Sequence, residues 1–391
     1  MTRSNFTCGI DVGSNFTKVI VVGFDGHKKE KTILATGLAE TNGMRLGYVS
    51  DVDQVALSIK KAVSSAEKTL GQRIKKAYVS IEGISLSSSI SSGSVIISKA
   101  DKEITSLDVT NVLTNSEENL DIPNRRVIHS FPLSYKLDGK EIYARPEGLR
   151  GIKLEVKSLF ITCLKQNIDD LATAFALAKI NIEEIIASPI ATSNILLNNK
   201  QKMAGCVLVD IGYDTISSIV YENNLPVSLQ VFQLGGMYIT KDIALGLKIS
   251  LEEAEMIKMG NIVGGNYSEK KVADIVEARL EDMFELIDNQ LKKIKRNELL
   301  PAGIILTGGS SAISNIEEIA RRQLKLPAKI GSSSVSLLSK YKVRDNSWYT
   351  ALGLALTDSE EYSDSLSSLK GNQNIKEVKG FIKSLLSQLL P

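Results

Sequence analysis

Two short stretches of this chain place an aspartate and a glycine directly after an apolar run. The first is Cys8-Gly9-Ile10-Asp11-Val12-Gly13, and the second is Cys206-Val207-Leu208-Val209-Asp210-Ile211-Gly212. An apolar run of this length is typical of a buried central strand, and the glycine allows backbone N–H groups to approach an anion. Because the pattern occurs twice, about half the chain length apart, it predicts a duplicated phosphate-binding turn.

The aspartate of each stretch suits magnesium chemistry. Mg²⁺ keeps several of its waters and takes few protein ligands, so Asp11 and Asp210 can hold the ion through those waters. Further polar groups follow the two turns, namely Ser14, Asn15, Thr17 and Thr215. Two such hairpins facing each other would clamp the phosphate tail of a nucleotide between two domains.

A third apolar run ends in a pair of glycines. Its sequence is Gly303-Ile304-Ile305-Leu306-Thr307-Gly308-Gly309-Ser310, which is also typical of a buried strand. Gly308 and Gly309 would let the backbone come close to a flat ligand such as adenosine. The three stretches together predict a nucleotide site that includes Ser310.

The pattern of apolar residues predicts the elements that hold these turns in place. In the first part of the chain we expect strands at Lys18 to Phe24, Ile33 to Leu38 and Ala77 to Ile81, and a helix from Ser50 or Asp51 to Leu70. From Ile84 to Leu159 the pattern changes. The serine-rich stretch from Ser85 to Ser98 has apolar residues at alternate positions, which favours the strands of a small inserted α+β module over a linker. From Met203 the order of strand, turn and strand begins again.

A helix that begins after Ser250 carries Glu255 and Lys258 on one face, because the two residues lie three positions apart. One interpretation is an exposed ion pair. The alternative is that both side chains reach the hydroxyls of a ribose.

A longer helix is predicted from Lys270 to about Lys295, with an apolar stripe at helical spacing. Arg279 stands at the margin of that stripe, and Lys293 lies on nearly the same face. Cations near the end of a helix ordinarily complement its dipole; the alternative is that they bind a partner's carboxylate.

Length and composition limit the class of protein. The 391 residues are 43% hydrophobic with a net charge of +2, which suits a soluble chain of two or more domains. The balanced charge, without a basic cluster that contains aromatic residues, argues against nucleic-acid binding. The three cysteines lie in apolar runs, as free thiols of a reducing compartment do. No apolar run reaches the roughly 20 residues of a spanning helix, so we expect a cytoplasmic protein that is attached to a membrane surface at most.

The C-terminal end carries a second strong pattern. Residues 358–374 are polar and serine-rich, as expected of a flexible linker, and residues 375–391 are amphipathic at helical spacing. This pattern favours a helix lying in a membrane surface, and the alternatives are docking on the globular body or in a partner's groove. The expected membrane contacts are Phe381, Ile382, Leu385, Leu386, Leu389, Lys379 and Lys383. So few cations bind an anionic surface modestly, so stable attachment predicts a polymer of several copies.

In their order, these motifs resemble those of the actin/Hsp70/sugar-kinase superfamily and, within it, the FtsA family of bacterial cell-division proteins. The stretch from Gly9 to Lys18 resembles the family's first phosphate motif, and Ile305 to Gly309 resembles its adenosine motif. Leu234-Gly235-Gly236-Met237 also fits the family pattern. The resemblance therefore adds four residues to the expected nucleotide site, namely Phe16, Lys18, Gly235 and Gly236.

A further stretch, Val276-Glu277-Ala278-Arg279, resembles the start of the helix that in FtsA proteins receives the C-terminal peptide of the tubulin-like protein FtsZ. The resemblance thus implies that Arg279 and Lys293 contact that peptide. FtsA-like proteins bind ATP, form actin-like filaments and hold FtsZ filaments to the inner face of the cell membrane. The implied cofactors are ATP and Mg²⁺, and the implied partners are the FtsZ tail, further copies of the chain and an anionic membrane at the division septum.

The resemblance covers essentially the whole chain. It implies an α/β fold of the actin-like, duplicated ATPase-core type, with an inserted small α+β subdomain and a C-terminal amphipathic helix. The implied division is subdomain 1A at 1–83 and 162–202, inserted subdomain 1C at 84–161, subdomain 2A at 203–249 and 302–357, subdomain 2B at 250–301, the linker at 358–374 and the amphipathic helix at 375–391.

The second phosphate loop departs from the family pattern. Where the family often has Asp-Ile-Gly-Gly-Gly-Thr-Thr-Asp, this chain has Asp210-Ile211-Gly212-Tyr213-Asp214-Thr215-Ile216-Ser217. An aromatic residue and an acid replace two glycines, and Asp214 would either repel a terminal phosphate or point to magnesium. We therefore expect the nucleotide to bind, with Tyr213 and Asp214 at the site, and to act mainly as a structural cofactor of a slow ATPase at most.

Two other functions stay open at this point. A pilus-assembly adaptor similar to PilM has the same actin-like build but normally lacks the membrane helix, so residues 375–391 separate the two. A small-molecule kinase would need a general-base carboxylate at a substrate cleft, and no further acid stands out in the sequence.

Overall fold

The computed structural model of the chain describes residues 6–24, 31–260, 267–333, 338–339 and 345–357. The predicted linker and the predicted amphipathic helix lie outside the described residues. Within the described ranges, every helix is too short or too polar to cross a membrane.

The described residues form both strands and helices. The strands are β1 (Phe6–Val12), β2 (Phe16–Phe24), β3 (Lys31–Glu40), β4 (Met44–Arg45), β5 (Tyr48–Val49), β6 (Lys76–Ile81), β7 (Ser87–Ile96), β8 (Arg125–Leu137), β9 (Lys140–Ile142), β10 (Lys153–Leu164), β11 (Asn181–Ala187), β12 (Cys206–Ile211), β13 (Ile216–Glu222), β14 (Leu225–Phe232), β15 (Ile304–Thr307), β16 (Ala328–Ile330) and β17 (Leu338–Ser339). The helices are α1 (Val52–Leu70), α2 (Ser106–Glu118), α3 (Lys165–Leu177), α4 (Ser188–Leu196), α5 (Asn199–Ala204), α6 (Gly236–Leu247), α7 (Leu251–Lys258), α8 (Glu269–Lys293), α9 (Ile316–Leu324) and α10 (Tyr349–Ala355).

Two sheets repeat one topology. The first has the order β11-β6-β1-β2-β3-β17, and the second has the order β16-β15-β12-β13-β14 before it continues through β7-β10-β8-β9. The central strand, β1 or β12, has an antiparallel neighbour on one side and a parallel neighbour on the other in both sheets. The predicted duplicated α/β fold is therefore confirmed.

Local chemistry explains where the elements begin and end. The Asp51 side chain accepts a hydrogen bond from the backbone N–H of Gln54 and caps α1, and Gly71 ends the helix with a left-handed φ of 72°. The last five residues of β1 and all residues of β12 except Asp210 are buried, as expected of strands covered on both faces.

The inserted α+β module contains β7, α2, β8, β9 and β10 and has a small core of its own. That core consists of Ile97, Ile104, Val112, Leu154 and Val156. The module's sheet meets the second repeated sheet through one residue pair, Gln230 of β14 with Ser87 of β7. The predicted inserted module is thus present and has a small core of its own, and its strands β8 and β10 also contribute Phe131, Leu159 and Ile161 to the main core.

Helix α10 packs on the first repeated sheet, against β1 and α4. A Cβ atom at Gly353 would lie 2.0 Å from the carbonyl oxygen of Ala191, and one at Gly9 would lie 2.3 Å from that of Ala351. These backbones touch because both glycines lack side chains. The last described helix therefore completes the core around the first strand.

Candidate nucleotide-binding cleft

A cleft of 540 Å³ opens where the two central strands end. Its lining includes most of the predicted nucleotide contacts, namely Asp11, Gly13, Ser14, Asn15, Phe16, Lys18, Asp210, Gly212, Tyr213, Thr215, Glu255, Lys258, Gly308, Gly309 and Ser310. The fold thus brings together residues from both sheets that lie up to 299 positions apart, between Asp11 and Ser310.

The two predicted phosphate turns have the same geometry. The N–H of Gly13 donates to the carbonyl oxygen of Phe16 at 3.2 Å, and the N–H of Gly212 donates to that of Thr215 at 2.9 Å. In the strand registers, Asp11 lies opposite Lys18 and Asp210 lies opposite Ser217. The two turns therefore have equivalent hydrogen bonds. They differ in that Lys18 lies opposite the first acid, whereas a serine lies opposite the second.

The glycine pair at the end of β15 serves two different needs. Gly308 has a φ of 90°, and a Cβ atom there would lie 2.3 Å from Oδ1 of Asp210. Gly309 has no atom within 4 Å of the place where its Cβ would be. Gly308 is thus required by the protein's own packing, whereas Gly309 leaves open space for a ligand.

Three carboxyl groups face the floor of this cleft. Asp11 is buried and accepts a hydrogen bond from the Ser80 hydroxyl at 2.7 Å, and burial raises its pKa. Burial and then the nearby charge of Asp11 raise the pKa of Asp210 to about 7. Burial, followed by the charges of Asp210 and Asp11, raises the pKa of Glu82 to about 8. Close acids of this kind attract a cation or a proton.

Glu82 was not predicted as a site residue, and the expectation that the sequence holds no further acid of note is wrong. Glu82 follows β6 directly, lines the cleft and accepts a hydrogen bond from the Thr215 hydroxyl at 3.0 Å. Ile81-Glu82-Gly83 repeats the signal of an apolar strand, an acid and a glycine that marked the two phosphate turns. The absence of an acid therefore no longer argues against kinase chemistry.

Ser188, the first residue of α4, supplies an unusual hydroxyl to the same cleft. It is 5% exposed, and its oxygen has no hydrogen-bond partner among the described residues. Ile81 pairs with Ala187 in the register of β6 and β11, so Glu82 and Ser188 are neighbours at the edge of the sheet. A buried hydroxyl without a partner costs stability until a ligand or water bonds to it.

This set of groups fits a magnesium nucleotide. No three acidic, histidine or cysteine side chains of the described residues are close enough to enclose a metal by themselves. Asp11, Asp210 and Glu82 instead offer carboxylate oxygens to an ion that keeps its waters, as Mg²⁺ does. The open space at Gly309 and the unpartnered Ser188 hydroxyl leave room and hydrogen-bonding capacity for the rest of the ligand.

Three predicted contacts do not line the cleft. Oδ2 of Asp214 accepts a hydrogen bond from the N–H of Leu46 at 3.1 Å, so this carboxylate joins the second turn to the first half of the chain. A Cβ atom at Gly235 would lie 2.4 Å from the carbonyl oxygen of Tyr213, and the N–H of Gly236 donates to that of Gly212 at 2.9 Å. Gly235 and Gly236 therefore seat the start of α6 against the second turn.

Glu255 and Lys258 form an ion pair and line the cleft at the same time. Nζ of Lys258 lies 2.6 Å from Oε2 of Glu255 and donates to the Thr240 hydroxyl at 2.9 Å. Lys258 is buried, so the interpretation of a merely exposed pair is wrong. The pair ties α7 to α6 at the rim of the cleft.

The opposite rim was not predicted, because its residues have no motif in the sequence. It is formed by Asp345, Asn346, Ser347 and Thr350. The Asn346 amide donates to the Ser311 hydroxyl at 3.0 Å, which links this rim to the turn after the glycine pair.

Arg279 and Lys293, the predicted partner contacts, are not brought together. Fourteen residues of α-helix separate them by about 21 Å along α8. Arg279 lies 2.6 Å from a carboxylate oxygen of Asp242 on α6 and 3.0 Å from one of Asp282. Lys293 is exposed at the end of α8. Only Arg279 is thus held in a fixed position.

Solved structures with the same fold belong to the actin-like ATPases. The PilM–PilN type IV pilus biogenesis complex matches with a TM-score of 0.67 at 16% identity, covering 90% of this chain and 97% of that chain. MreB5 of Spiroplasma citri bound to ADP matches with a TM-score of 0.52 at 11% identity, covering 92% and 98%. The actin-like fold class is thereby confirmed.

Curated relatives are similar over most of the chain. "Cell division protein FtsA" of Bacillus subtilis (strain 168) is 29% identical over 378 residues, covering 90% of this chain and 83% of the relative. The protein of the same name from Pseudomonas aeruginosa is 27% identical over 383 residues, covering 92% and 90%.

Two family models match separate parts of the sequence. The model described as "Cell division protein FtsA" matches residues 207–353, and the one described as "SHS2 domain inserted in FTSA" matches residues 83–162. Both models describe the same family, and together they cover more than half of the chain. With its actin-like fold, its duplicated turns and its inserted module, the chain belongs to the FtsA family of cell-division proteins.

Proposed function

We propose that this chain binds ATP with Mg²⁺ in the cleft, assembles into actin-like filaments and attaches FtsZ filaments to the cytoplasmic face of the cell membrane at the division septum. The observation that carries the proposal is the meeting of two equivalent phosphate turns in one cleft of an FtsA-family chain. Each turn belongs to a different sheet, so a ligand bound to both would set the angle between the two halves.

Within the cleft, each group has a role in the proposal. The N–H groups of Gly13 and Gly212 close the turns, and other N–H groups of the same turns bind phosphate oxygens, while the backbone at Gly309 lies against the adenosine. Asp11, Asp210 and Glu82 hold the waters of Mg²⁺. The ion neutralises phosphate charge and reduces the repulsion between the three acids. Lys18, opposite Asp11, adds a cation on the side of the first turn.

The nucleotide acts mainly as a structural cofactor in this proposal. Two hydrogen bonds already cross between the halves at the second turn, from Leu46 to Asp214 and from Thr215 to Glu82. A bound nucleotide adds further bonds to the same two elements and stabilises one closed arrangement. Filament subunits need such a fixed shape, because small differences in angle add up along a polymer.

Support for the membrane and FtsZ roles comes from the sequence. The amphipathic pattern at 375–391 supplies a surface helix, and its few lysines require several copies for firm binding. Arg279 offers a positioned cation for an acidic tail peptide of FtsZ.

A second candidate is a pilus adaptor similar to PilM. The TM-score of 0.67 to the PilM–PilN complex favours it. The amphipathic pattern at the C-terminal end and the FtsA-family matches favour the tethering function instead.

The test is co-sedimentation of the full chain with vesicles of phosphatidylglycerol and phosphatidylcholine, with and without Mg²⁺-ATP. We expect the full chain to bind and to form filaments on the vesicles, and a variant without residues 376–391 to stay in solution. The control is the nucleotide affinity of that variant, which should equal the parent's because the cleft is untouched. Equal vesicle binding by both proteins would contradict the tether, and loss of nucleotide binding by the parent would contradict the cleft assignment.

A further inference from the structure

A second groove, of 680 Å³, lies between α8 and α9 beside the end of α7. Its apolar lining consists of Ile257, Val272, Ala273, Val276, Ile313 and Ile319. Val272 and Val276 are only half-buried, so the groove presents apolar surface to solvent. A surface of this kind gains free energy when an apolar face of another segment covers it.

The rim of this groove is acidic. Glu269, Glu277 and Glu318 line it, with Arg322 as the exposed cation. Arg322 is paired with Glu277 at 2.6 Å and with Glu281 at 2.8 Å, which closes one side. Glu269 and Glu318 form no ion pair with another described residue and lie exposed at the rim. The groove therefore suits an occupant with an apolar face and a net positive charge.

The chain itself contains such a segment. In residues 375–391, Phe381, Leu385 and Leu389 are spaced by four and share one helical face, and Lys376, Lys379 and Lys383 lie on the opposite face. Only one acid, Glu377, opposes those lysines in the segment. Three side chains at i, i+4 and i+8 are a usual set of anchors for a helix in a groove.

The connecting chain gives the segment a long reach. The last described residue is Thr357, and 17 residues separate it from Ile375. A flexible chain of that length has a root-mean-square span of about 20–25 Å and can extend to about 55–60 Å. Because the segment is tethered, its effective concentration at the groove is in the millimolar range, so weak contacts are enough for docking.

We propose that segment 375–391 docks in the groove between α8 and α9 when no membrane is present, and that a membrane surface competes for the same apolar face. Docking covers the segment's leucines in solution and so keeps free chains from sticking to one another. It also makes membrane attachment depend on release from the groove. The docking step stands without the proposed membrane function, whereas the competition rests on it.

The test is a crosslink within the full chain. Cys8, Cys163 and Cys206 are all buried, so introduced thiols can be labelled selectively. The pair Ser314→Cys and Ser387→Cys places one thiol at the groove and one on the segment. The control pair, Ser65→Cys and Ser387→Cys, places the first thiol at an exposed position of α1. A short bis-maleimide is then added in the absence of lipid.

We expect the groove pair to give an intramolecular crosslink at least five times faster than the control pair. Val276→Lys, which places a cation among the apolar lining, should lower the rate to that of the control and should lower the lipid concentration needed for half-maximal vesicle binding. Leu107→Lys is the matched control for charge, because Leu107 is exposed on the inserted module.

Equal rates for both cysteine pairs would overturn the proposal. Crosslinked dimers in place of monomers would also overturn it, because they would assign the groove to a second copy. A crosslink without any vesicle binding would uphold docking and contradict the membrane function, so the two failures are distinguishable.

Discussion

Glu82 changes the chemistry of the cleft because it shares one small volume with Asp11 and Asp210. Its raised pKa, about 8, means that the ligand-free cleft holds a proton there near neutral pH. A bound Mg²⁺ would neutralise the negative charge of these carboxylates in place of that proton, because it carries two positive charges. Repulsion among the three acids therefore destabilises the empty cleft, and a bound cation removes that repulsion.

Removing the charge of Glu82 should stabilise the ligand-free protein at alkaline pH. A carboxyl whose pKa is raised by folding contributes most stability below its unfolded pKa, and that contribution is lost as the pH rises through about 8. At pH 8.5, the free energy of unfolding of Glu82→Gln should thus exceed the parent's by about 1–2 kcal/mol after allowance for solvent in the cleft, and the variant should have the higher Tm. At pH 5 the advantage should disappear.

Thermal unfolding without nucleotide and magnesium measures this difference. Addition of Mg²⁺ at pH 8.5 is the control, because it should stabilise the parent more than the variant. A difference in Tm that is the same at both pH values would show that the Glu82 carboxyl does not titrate as described.

The two glycines after β15 should respond differently to the same added methyl group. Gly308→Ala places a Cβ atom 2.3 Å from Oδ1 of Asp210 at a backbone angle that disfavours side chains, so it should lower the free energy of unfolding by about 2 kcal/mol or more. Gly309→Ala meets no atom within 4 Å and should unfold like the parent. Its affinity for a fluorescent ATP analogue should fall about tenfold, because the methyl group occupies ligand space. Parent-like affinity of Gly309→Ala would remove Gly309 from the site.

Turns and helix ends could be predicted from the sequence, because they depend on residues that are adjacent in the chain. The two turns after β1 and β12 were found because a buried strand, an acid and a glycine are adjacent in the chain. The ends of α1 were predicted from its caps. Helix α4 was missed, because nearly all of its residues are buried and its sequence has no amphipathic period.

Other features depend on partners that are remote in sequence. The position of the Asp214 carboxylate is set by Leu46, 168 residues away, and no pattern near Asp214 indicates that bond. Glu82 joins the site only because β6 lies beside β1, which is a matter of topology. Gly235 and Gly236 were assigned to the ligand, since a sequence does not show whether a glycine is approached by a ligand or by another helix.

The packing of α10 on α4 gives a prediction about elements. Gly353→Ala brings a Cβ atom to within 2.0 Å of the Ala191 backbone, so α10 must move away from α4. We expect a loss of about 2–4 kcal/mol in urea unfolding, as for overpacked cores. Gly309→Ala is the matched control in open space, and equal stability of the two variants would contradict the close approach of these helices.

Across the whole molecule, one buried core joins the two repeated sheets. Ile10 and Ile190 of the first half lie in the same cluster as Leu208 and Ile219 of the second half. A nucleotide in the cleft would therefore add bonds to halves that are already packed against each other. In the proposed function, the FtsZ peptide is bound at Arg279 and the membrane by residues 375–391, which are separate parts of the chain.

A substitution at Arg279 can be used to test the proposed FtsZ surface. Arg279→Glu should weaken binding of an acidic FtsZ tail peptide by roughly 1.5–3 kcal/mol, the range of a hydrogen bond to a charged group. Because Arg279 is bonded to Asp242, the variant also disturbs α6. Asp242→Asn separates the two effects, since it weakens that ion pair and keeps the cation. A peptide titration in which both variants bind like the parent would exclude this surface.

The contact of α10 with β1 also orders events during synthesis. Gly9 packs under Ala351 and Ala355, which are made more than 340 residues after it. At about 5–20 residues per second, β1 is therefore made tens of seconds before the helix that covers it. Residues 206–330, which include β12 to β16, are contiguous in sequence, so this part of the second sheet can form without that delay. The half of the fold that is begun first is therefore completed last, directly before residues 375–391 are made.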